Sequence, residues 1–444
     1  MSRRKFIKKT FVAGTSLLAS NPIYSFSASS YRRIMGANDL IRVSIMGVNG
    51  RGYSLAQNFA YQSDCDLMAV CDVDKRAIDK CLTAIKPIQE MTAKSFTDFR
   101  KTLDDKNIDA LVIAAPDHWH APAAILGLQA GKHIYVEKPC SHNPHEGELL
   151  VRAAVKYKKT VQMGNQRRSY PNVILAMKDI RDGMIGKVYY GKGWYTNNRA
   201  SIGVGQAVTV PDWLDWNLWQ GPAPRKAFKD NIVHYNWHWL WHWGTAESCN
   251  NGTHMVDLLR LGLGVDFPIK VNSSGGRYRY QDDQQTPDTH IIGFDFKNNI
   301  SMTWEGRSCN GKYDEGSSVG VVFYGEKGSL NIANNDYRVY DLDNKLIKEM
   351  KSEIDVDPRD AKNPAGALDS AHVRNFFDNI KNGTPLRSPI DEGFKSTLLM
   401  QLGNISHRVG HSLNIDPMNG HILKDEAANK LWSREYEKGW EIKI

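Results

Sequence analysis

Three short clusters in this 444-residue chain carry side chains able to bind and move protons. Glu137-Lys138-Pro139 closes the apolar run His133-Ile134-Tyr135-Val136. A lysine at the carboxyl end of a parallel strand stands in the crevice where such sheets bind ligands. Its ammonium can hydrogen-bond a hydroxyl and pass a proton. Pro116-Asp117-His118-Trp119-His120 follows a second apolar run, residues 111–115, and would line the same crevice; the other reading makes His118 and His120 helix-capping or packing residues. Asn250 and His254 stand four apart at the start of an expected helix, hence on one face of it. A neutral imidazole in a crevice suits removal of a hydroxyl proton near neutral pH, although taken alone His254 reads more readily as a structural residue than as a catalytic one.

The elements that would hold these groups start at residues 41–52, IRVSIMGVNGRG. An apolar run stops in Gly47, Gly50 and Gly52, and a helical pattern follows, so the stretch predicts a buried strand, a tight turn and a helix start. Glycines there let the backbone approach a pyrophosphate and leave helix N-terminal N–H groups free to bind it. The G-x-G-x-x-G spacing would put glycine at 47, 49 and 52, but residue 49 is Asn49 and the glycine is displaced to Gly50. Asp72 ends the next apolar run, about twenty residues on, where a dinucleotide site places an acid. Gly47, Asn49, Gly50, Arg51, Gly52 and Asp72 are therefore read as a cofactor cradle. The alternative is a tight turn with no ligand.

Strand and helix patterns alternate from residue 38 to 162, which predicts a parallel, doubly wound sheet. From 163 to 444 longer strands follow one another, at 187–196, 270–280, 289–297, 300–307, 320–325 and 329–333. Hairpin-like breaks such as Lys297-Asn298-Asn299 predict an α+β domain with a large, mostly antiparallel sheet. Helices at 245–261, 370–382 and 392–410 would cover one face of it.

The net charge of +8 is concentrated at the N-terminus, where residues 1–30 hold five basic residues and no acid. The remainder has no basic stripe, which excludes a nucleic-acid partner. Ser2-Arg3-Arg4-Lys5-Phe6-Ile7-Lys8 and a weakly apolar run after it form a twin-arginine export signal over 1–30, followed by a linker at 31–37. The run is too short to span a bilayer, and no cysteine precedes Cys65, so no stable membrane anchor is expected. The twin-arginine machinery carries folded proteins, which suits a protein that binds its cofactor before reaching the periplasm. The six cysteines form no C-x-x-C pair and read as small buried residues.

Taken together, these residues resemble the Gfo/Idh/MocA oxidoreductases, and most of all an exported, Trp-rich branch of them. The matching stretches are the glycine turn with Asp72, Pro-Asp-His-Trp-His at 116–120, Ala-Gly-Lys-His-Ile-Tyr-Val-Glu-Lys-Pro at 130–139, Gly-Thr-His-Met-Val-Asp at 252–257, Gly-Glu-Lys-Gly-Ser-Leu at 325–330 and His-Val-Arg-Asn-Phe-Phe-Asp at 372–378. The sequence that surrounds the histidine in the family's NAD-dependent glycosidases is absent. The resemblance implies a Rossmann domain with tightly bound NAD, gripped by the glycine turn, Pro116, His118, His120, Glu137 and Lys138. It implies oxidation or reduction of a sugar or polyol, with Lys138 as proton relay and His254 as acid/base. Asp72 favours NAD, and Arg76 close by leaves NADP open. The family often has Asp where this chain has Asn250, and an amide cannot take a proton, so the burden shifts to His254 and Lys138, with Glu247 as a local carboxylate.

Residues 234–243, HYNWHWLWHW, add a substrate candidate. If extended, Trp237, Trp239, Trp241 and Trp243 share one face and His238 and His242 the other. Trp rings stack on sugar faces while His and Asn edges bind hydroxyls, so Trp241, His242, Asn250, His254 and Arg167 are the substrate-binding candidates. The alternative is an aromatic packing plug; a helical His234-His238-His242 metal site is a third reading, and no metal is assigned. Three functions stay open: an exported carbohydrate dehydrogenase, redox-neutral glycoside cleavage through transient oxidation, and a non-catalytic sugar sensor. An antiparallel sheet with one open face points to a homo-oligomer.

Overall fold

The computed structural model describes residues 40–333, 336–352 and 367–444. The expected export signal and linker lie outside the described residues. The first apolar run forms β1 (Ile41–Met46), the glycines form a turn, and α1 (Arg51–Ala60) follows. Then come β2 (Cys65–Cys71), α2 (Lys75–Ile85), β3 (Lys94–Phe96), β4 (Ala110–Ile113), α3 (His120–Gln129), β5 (His133–Val136), α4 (Pro144–Tyr157) and β6 (Val161–Met163). The six strands are parallel in the order β3-β2-β1-β4-β5-β6. Strand order reverses between β1 and β4, and ligands bind outside the carboxyl ends of strands at such a switch point. Burial on both faces explains the unbroken apolar runs: Val43, Ile45, Val112 and Val136 are all fully buried.

After α5 (Pro171–Arg181) comes β7 (Val188–Thr196), then a long connection to α6 (Thr253–Leu263). β8 (Lys270–Gly276), β9 (Thr289–Phe296), β10 (Ile300–Arg307), β11 (Val319–Gly325), β12 (Gly328–Ala333), β13 (Asp336–Asp341) and β14 (Leu346–Met350) follow. α7 (Ala367–Asn382) comes next, and α8 (Ile390–Val409) with the short β15 (Leu413–Asn414) completes the second unit. Its nine-stranded sheet runs β14-β13-β12-β11-β7-β10-β9-β8-β15 and is antiparallel except at its centre, where β7 and β10 pair in parallel.

The structure revises several expected boundaries. β8 ends at Gly276 because Asp288 draws the next residues away: its carboxylate accepts the N–H groups of Tyr278 and Arg279 and pairs with Arg277. The expected helix over 245–261 is split, with a wide π turn at Ser248–Gly252 ahead of α6. β13 and β14 extend the sheet beyond the expected strands.

α7 does not cover the nine-stranded sheet. Val373, Phe376 and Phe377 are fully buried in the core of the first domain, against Phe59 and Tyr135. Burying each such ring contributes about 2–3 kcal/mol. Arg374 and Lys381 both pair with Asp64, which fastens the helix at its polar edge. The amphipathic pattern that predicted α7 could not say which of two sheets would receive its apolar face.

Candidate active site

A cavity of about 670 Å³ opens along the carboxyl ends of β1, β2, β4 and β5. Its far wall comes from the long connection after β7, the π turn and α6. Every expected cofactor residue except Gly52 and His118 lines it.

At the nucleotide end the backbone needs glycine at two positions. Gly47 has φ +83°, and a Cβ there would lie 2.6 Å from the Ala115 nitrogen. A Cβ on Gly52 would lie 1.6 Å from the Gly47 carbonyl oxygen. Gly50 differs, since nothing stands within 4 Å of its Cβ position. No side chain caps α1, so its first turn offers N–H groups to an anion in the cavity. Asp72 accepts from Val48 N at 2.7 Å and Asp74 N at 2.9 Å, which turns its carboxylate toward the glycine turn. Burial raises its pKa, and these two donors oppose that shift. Turn, open helix start and acid therefore fit a dinucleotide.

Arg51 occupies the turn without presenting a free charge. Its Nε donates to Glu137 at 2.9 Å and its Nη2 to Asp369 of α7 at 2.8 Å. Arg76 is likewise spent: it pairs with Asp74, stacks over Trp213 at 3.4 Å and lies outside the cavity lining. The 2′-phosphate partner that would serve NADP is thus neutralised. His234 donates to the same Asp74 at 2.8 Å and stacks on Trp213, so the Trp-rich connection closes over the end of β2.

At the other end, Lys138 Nζ donates to the Asn250 backbone carbonyl at 2.7 Å and to its Oδ1 at 3.0 Å. Burial lowers the lysine pKa, while Glu137 and Asp117 hold it up. His254 also lines the cavity, and its Nδ1 has no partner among the described residues. Burial, then Lys138 and Arg167, push its pKa well below the usual value, so the ring is neutral. Arg167 lines the same region, 5.9 Å from the Tyr170 ring, and burial lowers its pKa.

Three expected site residues stand elsewhere. His118 is buried outside the cavity and binds the Trp219 carbonyl through Nε2 at 2.9 Å. It anchors the Trp-rich connection. His242 donates to the Pro224 carbonyl at 2.8 Å, and Trp241 lies beneath Arg408 at 5.3 Å; neither lines the cavity. The alternating face is not realised because Asn236–Trp239 coil into a 3₁₀ turn. Trp243 packs on Trp216 and Trp219 as a plug and Trp239 is buried beside Arg199, while Tyr235, Trp237 and His238 reach the cavity. His234, His238 and His242 each bind a different partner and do not converge. His120 lines the cavity, yet both ring nitrogens face backbone carbonyls, of Pro139 and Ala115, so it braces the wall.

Sequence reasoning placed Asp117 in the crevice but missed Tyr195, Asn197, Arg199, Tyr235 and Asp369, all of which line the cavity. Asp117 was legible within its motif, at a strand end; its carboxylate accepts from Thr245 Oγ1 and burial raises its pKa. The others come from remote elements with no local signature.

Residues 41–165 match the family profile described as "Oxidoreductase family, NAD-binding Rossmann fold", and residues 191–442 match "Oxidoreductase family, C-terminal alpha/beta domain". The chain belongs to the Gfo/Idh/MocA oxidoreductases. NAD is the cofactor of its Rossmann domain, and the glycine turn with Asp72 is where this family member would hold it. Among curated relatives, "Glycosyl hydrolase family 109 protein 1" of Shewanella sp. (strain ANA-3) is 27% identical over 301 residues, 64% of this chain and 58% of that relative's length. A levoglucosan dehydrogenase in complex with NADH and levoglucosan shares the fold at TM-score 0.65 and 18% identity, over 84% of this chain and 99% of that one. The WlbA dehydrogenase from Bordetella pertussis, in complex with NADH and UDP-GlcNAcA, does so at TM-score 0.62 and 18% identity, over 85% and 99%. Among the described residues no helix is long and apolar enough to cross a membrane.

Proposed function

We propose that this oxidoreductase acts on a secondary hydroxyl of a sugar or glycoside, with C3 of a pyranoside as the assigned position. The observation that carries the reading is the placing of Lys138 and a neutral His254 in the cavity that begins at the glycine turn. Bound NAD supplies the hydride acceptor; everything else falls to the protein. His254 takes the hydroxyl proton. The Lys138 ammonium, held by Asn250, stabilises negative charge as it develops on that oxygen. Asn250 holds and cannot itself titrate. Tyr235 and Trp237 give the apolar wall a sugar face needs.

The test is the absorbance of NADH in purified protein while a panel of glycosides is added without free cofactor. A rise with one class supports the reading. Lys138→Ala and His254→Ala should lose about 10²–10⁴-fold in turnover while retaining bound nucleotide. Loss of nucleotide in both variants would overturn the roles given to them.

The names of the curated relatives favour a second reading, redox-neutral glycoside cleavage. There, transient oxidation acidifies the neighbouring C–H, loss of that proton expels the aglycone, water adds across the resulting double bond, and the hydride returns. Free sugar released with no net NADH separates it from the first. Export is also part of this proposal and rests on Arg3 and Arg4, as is pairing of two copies through the outer face of the nine-stranded sheet, where Ile291 is exposed.

A further inference from the structure

Lys138 needs an acceptor, and the amide of Asn250 offers one end that accepts and one that donates. Its Oδ1 faces Lys138 at 3.0 Å, and its Nδ2 donates to Glu247 Oε1 at 3.3 Å. An ammonium only donates and a carboxylate only accepts, so the two partners together determine which way the amide points. Glu247 is 2% exposed and does not line the cavity, so it has no route to substrate. It is itself held by Arg199, whose Nε donates to Oε2 at 2.8 Å, and by Asn251 Nδ2. Arg199 is braced by the Tyr195 hydroxyl and lies 5.3 Å from the Tyr235 ring and 5.0 Å from that of Trp239. Cation, carboxylate, amide and ammonium therefore form one chain, from the Trp-rich wall to the reacting end of the cavity.

The local backbone makes this chain feasible. Glu247 precedes the π turn Ser248–Gly252, so Asn250 and Asn251 at three and four residues on both face its carboxylate. A π turn is wider than an α turn, and here the Asn250 carbonyl turns to Lys138.

We infer that Glu247 is the positioning residue of this site: through Asn250 it orients the acceptor that holds Lys138, and it keeps a negative charge behind that ammonium. The inference rests on Lys138 being the hydroxyl-binding cation, but it can be tested apart from turnover. The charged and titratable groups facing Lys138 are Glu137, Asp117, Arg51, Glu247, His254 and His238. Burial is the largest influence on the lysine and works against its charge; Glu137, Asp117 and Glu247 oppose it. In Glu247→Gln a carboxamide replaces the carboxylate, so Asn250 is free to flip and present its own donors to an ammonium. Burial is then less opposed, and Lys138 should lose its proton at lower pH.

The experiment uses full-length, NAD-loaded protein and measures acetylation of Lys138 by acetic anhydride across pH, by mass spectrometry. Glu247→Gln should move the labelling midpoint to lower pH. Adding Asn250→Asp, which puts a carboxylate directly against Nζ, should bring it back. An unchanged midpoint in Glu247→Gln, with or without a fall in Tm, overturns the inference, as does failure of the double variant to restore it. Should Glu247→Gln not fold, Asn250→Ala cuts the same link while leaving the Arg199–Glu247 pair whole; it too should lower the midpoint, and an unchanged value overturns the inference. A shifted midpoint in a protein that reduces no NAD with any glycoside would refute the proposed function and leave Glu247 in this role.

Discussion

Replacing Gly52 by alanine should separate the cofactor from the protein. The added Cβ would stand 1.6 Å from the Gly47 carbonyl oxygen, 2.8 Å from its carbonyl carbon and 3.2 Å from the Ala114 Cβ. The nearest atoms are backbone, and Gly47 cannot retreat. Its own N–H is bonded to the Cys71 carbonyl at 2.8 Å, and the Ala114 and Ala115 backbone lies behind it. The start of α1 must therefore lift off the end of β1, which takes its N–H groups away from a pyrophosphate. Overpacking of this kind costs about 3 kcal/mol, the upper end for an added methyl, because no flexible side chain yields. At about 1 kcal/mol per 2–4 °C, the Tm should fall by roughly 6–12 °C. Gly127→Ala is the control: its Cβ would lie 2.6 Å from Ile134 Cδ1, so it strains the same domain outside the cavity lining. The assay is nucleotide released by acid per protein chain, alongside thermal unfolding with and without added NAD. Gly127→Ala should lose stability and keep nucleotide; Gly52→Ala should lose both. Gly52→Ala with full nucleotide content and an unchanged NAD-induced rise in Tm would refute the reasoning.

Phe376→Ala should destabilise the protein by about 3–5 kcal/mol in urea unfolding, since a fully buried ring of α7 leaves a cavity against Phe59 and Tyr135; a change below about 1 kcal/mol would contradict the docking of α7 on the first domain. Burial works against the Glu392 carboxylate, but Arg260, Lys395 and Arg168 hold its pKa down to about 2. A depressed acid stabilises the fold above its unfolded pKa, and that contribution is lost as pH falls through the folded value. Stability should therefore drop by about 2 kcal/mol, after allowance for solvent screening, between roughly pH 4.5 and pH 2, and Glu392→Gln should flatten that limb of a pH series of urea midpoints. Changing Arg3 and Arg4 together to lysine should leave the protein in the cytoplasm, as read by cell fractionation; unchanged periplasmic protein would refute the export signal.

The first domain was legible because its signals are local. A strand that must turn within a few residues and start a helix needs Gly47 and Gly52, and Asp72 ends the neighbouring strand. Lys138 and His254 were legible for a related reason: each belongs to a short motif at an element end, where side chains meet ligands. The aromatic connection was not. Its alternating tryptophans are compatible with a strand, a plug or a metal helix, and tertiary packing chose a 3₁₀ turn and a plug. His118 had a strand-end address, but the Trp219 carbonyl took it from the cavity.

What the sequence by itself determined was the parallel first domain, the glycine turn with its acid, the mostly antiparallel second sheet, and a lysine and a histidine that line the cavity. These follow from periodicity and steric rules that act over a few residues. Only the tertiary structure decided that α7 would pack on the first domain and supply Asp369 to Arg51, 318 residues away in sequence. Only it decided that Lys138 would meet Asn250, 112 residues on, and that Arg199 would stand behind Glu247. A buried charge must find an opposite charge or an acceptor, but that rule names no partner; chain packing selects one.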